Sequence, residues 1–467
     1  MLYCYNLNYH DPADVMAAMA DQDGAVLLDS QQAGGANGRY AVIPIGACTR
    51  LRCFGALTEI ADAEGRVSRH TGDPFHLLQQ ELAWWRLHLC FDNDGTVQPP
   101  PVFTGGALGL FGYDLARRLE TISRDDRPRA IPDMDVRIYQ GALVFDPIDQ
   151  KAGLYCHAAG QDDADSLYET ATALLARAGP PSGNPASLHW GPEESGTAYC
   201  TKIAHVIEAI YAGDIFQANL SRQFSADLPV NFNAFADYYE RRKVMNAPFG
   251  AWFNGGDYQL ASFSPERFLS AQDGHVTTCP IKGTRPRGST AAEDARLRDA
   301  LLASEKDQAE NAMIVDLLRN DLSRACCDNS VHVPALNRLE SHTRVHHLVS
   351  EVCGELAKGY NEIELFRAAF PGGSITGAPK VQAMQIIDKL EGYARGPYCG
   401  SLGYISFDKQ LDSNILIRTL IYSGGQATLN TGGGITALSS PEEEHDETLA
   451  KAAGLIALDE SADADTA

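Results

Sequence analysis

The spacing of apolar residues changes character along the chain. Ile203, Val206, Ile207 and Ile210 recur at helical intervals, and Gly213-Asp214 marks where that helix should stop. Residues 215–222 follow as a strand. Residues 414–422 (NILIRTLIY) are apolar on both faces, which predicts a central strand. Nearer the start, residues 25–29 and 41–44 read as short strands around the glycine-rich turn Gly34-Gly35-Ala36-Asn37-Gly38. Residues 75–89 read as a helix, and 105–113 as a packed, glycine-rich strand or turn. Helices and strands interleave, so the fold class is α/β or α+β.

One composition shift divides the chain. Residues 178–198 (AGPPSGNPASLHWGPEESGTA) are rich in Pro, Gly and Ser and lack periodicity, as a linker would. This predicts an N-terminal lobe over 1–178, a linker over 179–198, a C-terminal region over 199–460 and a polar tail over 461–467. The N-terminal lobe shows no catalytic constellation.

Charge changes the picture. The formal net charge of −23 argues against nucleic acid or an anionic membrane as the main partner, and an anionic substrate would need a local gathering of cations. No apolar run approaches the ~20 residues that span a bilayer. The 11 cysteines are scattered, with no CxxC pair, as in reduced cytosolic proteins. The start of the chain has no signal-peptide pattern, so a cytoplasmic location is expected.

Two segments place acids on apolar faces. In 307–324 the stripe is Met313, Ile314, Leu317 and Leu318, and Glu310 lies on it, with Asp307 a turn earlier. An inward carboxylate is costly unless ion-paired or coordinated. In the second segment Ser440 suits an N-cap, Pro441 the first helical position and Glu443 a capping box. Glu444, Glu447, Lys451, Leu455 and Leu458 then share one stripe. Alone, such a segment is more often a solvated helix start, and it is the second inward acid on a separate segment that favours coordination. Oxygen ligands from two separate elements suit Mg²⁺, which keeps waters and shares its coordination with substrate.

Cations and backbone-rich segments complete the set. Arg418, between Leu416 and Leu420, suits fork recognition of a carboxylate or pairing with an internal acid. The loop 371–380 (PGGSITGAPK) leads into a helix and offers free N–H groups, but lacks the GK[ST] of a P-loop. Residues 430–435 (NTGGGI) are a second stretch where only backbone can approach a ligand. Lys282 has Arg285 and Arg287 close in sequence; like charges lower a lysine pKa, and a neutral lysine is a nucleophile. Glu266 is a candidate acid. His342, His346 and His347 lack any zinc-site spacing.

These segments together resemble the chorismate-utilising enzymes. The resemblance covers about residues 199–460 through GDIFQANLS, SPERF, PIKGTRPRG, AENAMIVDLLRNDLSR, VHHLVS, FPGGSITGAPK, GYISFD, ILIRT, and GGGI followed by PEEEHDETLAK. In the N-terminal lobe, LLDS and GRYAVIP resemble the same family weakly. The resemblance implies a composite fold of two packed antiparallel sheets with helices outside. It implies Glu310 and Glu447 as Mg²⁺ ligands, with Asp307 and Glu444 supporting them. Arg418, Thr376, Gly377, the Gly432, Gly433 and Gly434 backbone, and Lys451 would meet substrate carboxylates. Glu266 would be the general acid, His347 would sit near the site and Tyr404 would line the pocket.

Two positions bear on the branch. Water-using members resemble one another in having lysine where this chain has Gln217, so Gln217 implies ammonia as nucleophile. Lys282, where anthranilate formers have alanine, resembles aminodeoxychorismate formers, whose lysine attacks C2 before ammonia enters at C4. The alternative is anthranilate formation; a non-catalytic anion-binding protein is a third reading, opposed by the intact acid and lysine set. No G-x-C-x-G turn occurs, so a glutamine amidotransferase subunit is the implied source of ammonia. Some members hold tryptophan in the N-terminal lobe, where Ser30 fits such a pocket.

Overall fold

Strands from both sides of residues 179–198 hydrogen-bond directly to each other. The computed structural model describes residues 1–30, 38–89, 100, 102–120, 122, 129–183, 185, 187–342 and 345–464, the last eight without side chains. The expected turn residues Gly34 to Asn37 and the side chain of Leu458 lie outside the described residues. Val26–Asp29 pairs antiparallel with Phe249–Asn254, and Gly106–Phe111 pairs with Ser401–Ser406. Ala41–Phe54 and Met134–Asp146 pair antiparallel and link these two places. Apolar side chains from both halves, among them Val26, Leu108, Leu110, Phe253, Leu260 and Leu402, fill one shared cluster.

Two antiparallel ladders run through the C-terminal region, as the mixed fold class requires. One passes through Phe249–Asn254, Tyr258–Ser264, Thr419–Ser423, Gln426–Ile435 and Gln217–Asp227. The other passes through Ser401–Ser406, Leu411–Asn414, Arg267–Gln272, His275–Thr278, Val345–Glu355 and Ile281–Pro286. The chain passes directly from one ladder to the other at Pro265-Glu266 and at 415–418. The two crossings touch: Ile415 N–H donates to the Glu266 carbonyl at 3.0 Å, and Phe263 N–H to the Arg418 carbonyl at 2.9 Å.

Here the expected single strand over 414–422 is corrected. It is two strands, Leu411–Asn414 and Thr419–Ser423, separated by the crossing. The run is apolar on both faces because all of it but Ile417 and Arg418 is buried, not because it is one strand. Arg418 stands in the break at φ 50°, a left-handed conformation costing a non-glycine residue roughly 1–2 kcal/mol.

Helices cover the ladders, and the expected ones fall close to their forecast places. They run over Pro74–Leu89, Gly196–Tyr211, Glu305–Ser323, Lys380–Glu391 and Pro441–Ala464. The expected linker is partly ordered: Gly191–Pro192 pairs with Gln217–Asp227, and Ser195 caps the next helix. The expected tail continues the last helix to Ala464. No helix among the described residues is long and apolar enough to cross a membrane.

Candidate active site

Four secondary structure elements converge on a cleft where acids and cations alternate. Helix Glu305–Ser323 starts at Ser304, whose hydroxyl accepts from the Asp307 N–H. Its core-facing side is Asn311, Ile314, Val315, Leu318 and Leu322, with Met313 and Leu317 at the flank. Glu310 therefore lies at the edge of the buried face, next to the cleft, rather than on the core stripe. Strand Ile281–Pro286 crosses in front of it and carries Lys282. Strand Gln426–Ile435 brings Gly434 next to Glu310, and helix Pro441–Ala464 packs on that strand with Glu444 and Glu447 near Gly433.

Lys282 Nζ lies 2.9 Å from Glu310 Oε1 and donates to the Ser374 carbonyl at 3.2 Å. Gln217 Nε2 donates to the same Glu310 oxygen at 3.0 Å. Burial pulls the Lys282 pKa down, but Glu310, Glu266 and Glu447 outweigh it, and the net shift is upward. This corrects the expected lowering by Arg285 and Arg287. Arg285 instead pairs with Asp307 at 3.0 Å and Arg287 with Asp294 at 2.8 Å. The resting lysine is an ammonium.

Glu266 is buried at the strand crossing. Burial raises its pKa, opposed by a hydrogen bond from Ser374 and the charge of Lys282. A carboxyl that holds its proton is what a general acid requires. His347 is 4% exposed, and its Nδ1 meets the Thr284 hydroxyl at 2.9 Å. Burial, then the neighbouring Arg418, pushes its pKa down to about 3, so the ring is neutral. Arg418 is itself lowered by burial, with no counter-charge, and has no ion-pair or hydrogen-bond partner for its guanidinium among the described residues. A desolvated, unpaired fork is the arrangement expected of a carboxylate receptor.

On the other wall, Lys451 bridges Glu447 at 2.7 Å and the Gly432 carbonyl at 2.8 Å. Glu444 accepts from Lys306 at 3.2 Å and from Ser439 at 2.6 Å. The glycines are explained by this crowding. Residues 430–435 are not a loop: Gly432, Gly433 and Gly434 pair in register with Ser221, Leu220 and Asn219. A Cβ on Gly434 would lie 2.1 Å from Gln217 Nε2 and 2.5 Å from Glu310 Oε1; one on Gly433 would lie 3.0 Å from Glu444 Oε2.

Three expected substrate contacts are placed differently. The Thr376 hydroxyl is fully buried and donates within its own loop, to the Gly372 carbonyl at 3.0 Å, so it is not presented to a ligand. Gly377 is required by close packing: a Cβ there would lie 2.2 Å from the Gln217 carbonyl. Tyr404 does not line the cleft. Its ring packs on Phe103 at 5.3 Å inside the shared apolar cluster, and its hydroxyl meets the Phe103 backbone. An aromatic on a fully buried strand turns to the nearest apolar neighbours, and the sequence pattern does not say which side those are on.

Sequence reasoning missed Lys306, Ser374 and Thr284. Lys306 stands four residues before Glu310, a spacing that already signals a shared helix face. Ser30, the expected N-terminal pocket residue, donates to the Pro248 carbonyl at 3.2 Å.

Among the described residues, no three His, Cys, Asp or Glu side chains form a group that could hold a metal. Magnesium needs fewer: one or two carboxylates, with waters and substrate oxygens completing the shell. Glu310 and Glu447 each bond through Oε1, and their second oxygens accept no hydrogen bond among the described residues. That donor set fits Mg²⁺.

The profile of the chorismate binding enzyme family matches residues 37–457. Aminodeoxychorismate synthase component 1 of Salmonella typhimurium is 39% identical over 433 residues, 91% of each chain. Anthranilate synthase component 1 of Pseudomonas putida is 32% identical, covering 96% of this chain and 93% of its own. The crystal structure of anthranilate synthase component I from Streptococcus pneumoniae superposes with a TM-score of 0.77 at 29% identity, covering 91% of this chain and 94% of that one. The chain belongs to the chorismate binding enzymes.

Proposed function

We propose that this chain is an aminodeoxychorismate synthase component 1, converting chorismate and ammonia to 4-amino-4-deoxychorismate, the precursor of 4-aminobenzoate. The observation that carries this reading is Lys282, whose largely covered ammonium lies against Glu310 and feels the charge of Glu266. The greater identity to the Salmonella relative of that name supports it.

Charge balance inside the cleft bears on the metal. Lys282, Arg285, Lys306 and Lys451 are matched by Glu310, Asp307, Glu444 and Glu447. Arg418 is left over. Chorismate carries two carboxylates, so one matches Arg418 and the other needs a further cation. Mg²⁺ held by Glu310 and Glu447, with Asp307 and Glu444 supporting, is that cation; when bound it polarises the carboxylate next to the reacting carbon. Arg418 and the backbone at 376–377 orient the substrate. Lys282 passes its extra proton to solvent, and its neutral amine forms the bond to C2 as the ring double bonds shift and Glu266 delivers its proton to the departing C4 hydroxyl, which leaves as water. Ammonia then adds at C4 as the bond from C2 to Lys282 breaks and the amine leaves. His347, neutral beside Arg418, adds no competing charge. Gln217 keeps a buried Oε1 with no partner among the described residues, an acceptor suited to an N–H of ammonia. Ammonia comes from a separate glutamine amidotransferase component, in keeping with the component names of the relatives.

The second reading, anthranilate synthase component 1, is favoured by the similarity to the pneumococcal structure. The two differ in the lysine. Chorismate with Mg²⁺ but no ammonia should leave the wild-type chain heavier by chorismate less one water in intact-mass spectra. Lys282→Ala should show no such species, and an adduct persisting in that variant would overturn the assignment.

A further inference from the structure

The loop between helix Glu362–Ala369 and helix Lys380–Glu391 forms the floor of the cleft. Its Ser374 carbonyl accepts from Lys282 and its Ser374 side chain bonds Glu266. Its Thr376 carbonyl accepts from the Asn219 N–H at 2.7 Å, two residues beyond Gln217. The loop therefore contacts both the lysine and the acid through Ser374.

Lys380 closes the loop at its base. Its ammonium donates to the Ala369 carbonyl at 2.9 Å, on the far side of the loop, and to Asp321 Oδ2 at 2.8 Å. Lys380 is 7% exposed and Asp321 1% exposed. Asp321 belongs to the same helix as Glu310, three turns further on. One buried ammonium therefore ties both ends of the loop to the helix that carries Glu310. Behind it opens a groove of about 490 Å³, bordered by Phe216, Leu317, Arg324, Asp321 and Lys380. Neither residue reaches the cleft.

A buried ion pair is a poor device for stability alone, since a well-packed apolar pair of similar volume often serves as well. It is a good device for a fixed geometry, because the ammonium must satisfy two oxygens at set positions. We infer that Lys380 and Asp321 are positioning residues that hold the 370–379 loop against helix Glu305–Ser323, so that Ser374 presents Lys282 and Glu266 in register for reaction. The inference rests on the catalytic roles proposed for Lys282 and Glu266. Misplacement of reacting groups by about 1 Å can cost on the order of 100-fold in rate.

The test uses Lys380→Met combined with Asp321→Leu, which removes both charges and leaves neither unpaired. The expected result is a folded protein whose kcat falls roughly 10- to 100-fold, with adduct formation on Lys282 slowed equally and the KM for chorismate changed less than about threefold. Lys380→Arg, which can still reach both oxygens, should recover at least about a tenth of wild-type kcat. A folded double variant with kcat and adduct rate within twofold of wild type overturns the inference. Should the double variant not fold, Asp321→Asn is read the same way: a folded Asp321→Asn protein with wild-type kcat and adduct rate overturns it too. Lys282→Ala is assayed alongside. An active Lys282→Ala enzyme defeats the reading of the site; an inactive one beside a wild-type-like double variant defeats only the positioning role.

Discussion

Gly434 measures how tightly the carboxylate cluster is built. Its φ is not left-handed, so alanine meets no backbone penalty there, yet its Cβ would intrude between Gln217 and Glu310. Gly434→Ala should therefore lower kcat/KM by on the order of 100-fold while leaving the melting temperature within a few degrees of wild type. A variant with normal kinetics would show that Glu310 and Gln217 need not meet. The same site shows what residue-level reading can reach. Lys282, Glu266 and Glu310, each singled out in the sequence, are brought together by the fold. The sign of the Lys282 shift was not legible, because it depends on which charges the fold brings near. Arg285 and Arg287 are neighbours in sequence, but Asp307 and Asp294 claim them. Tyr404 failed for a related reason: nothing in its local pattern distinguishes a cleft from a core.

Helix Glu305–Ser323 shows how an element transmits position. Its first turn is held by the Ser304 cap, and that turn carries Lys306 and Asp307, with Glu310 one turn further. Ser304→Ala should cost about 1 kcal/mol of stability and reduce kcat/KM several-fold, measured by urea unfolding and by chorismate turnover on the same preparation. Loss of stability without loss of turnover would separate the cap from the site. Helices were the most legible elements, because a 3.6-residue period and a cap survive in sequence. The broken strand at 415–418 was not legible. An apolar run reads alike whether its residues pair with one ladder or change from one to the other, and Arg418 sits in the break because of that change.

Across the whole molecule, net acidity and local neutrality coexist. The chain carries −23 overall, yet each acid of the cleft has a cation beside it. Stability should respond to pH through buried histidines. Burial pushes His157 down to about 4 and His347 to about 3, both below the ordinary 6.5. Protonation then favours the unfolded chain, so the stability these rings contribute is complete above about pH 6.5 and drains as pH falls toward those values. Between pH 7 and 5 the loss should be roughly 1–2 kcal/mol for each ring, read as a falling urea midpoint. His347→Gln should flatten part of that slope, and an unchanged slope in both His347→Gln and His157→Gln would contradict it. The pairing of strands across residues 179–198 means that both halves enter one core, which composition at the linker did not reveal.

The identity of the product bears most directly on the proposed chemistry. The purified chain, incubated with chorismate, Mg²⁺ and ammonium, should release 4-amino-4-deoxychorismate, which an added aminodeoxychorismate lyase converts to 4-aminobenzoate. Fluorescent anthranilate as the main product would contradict the account.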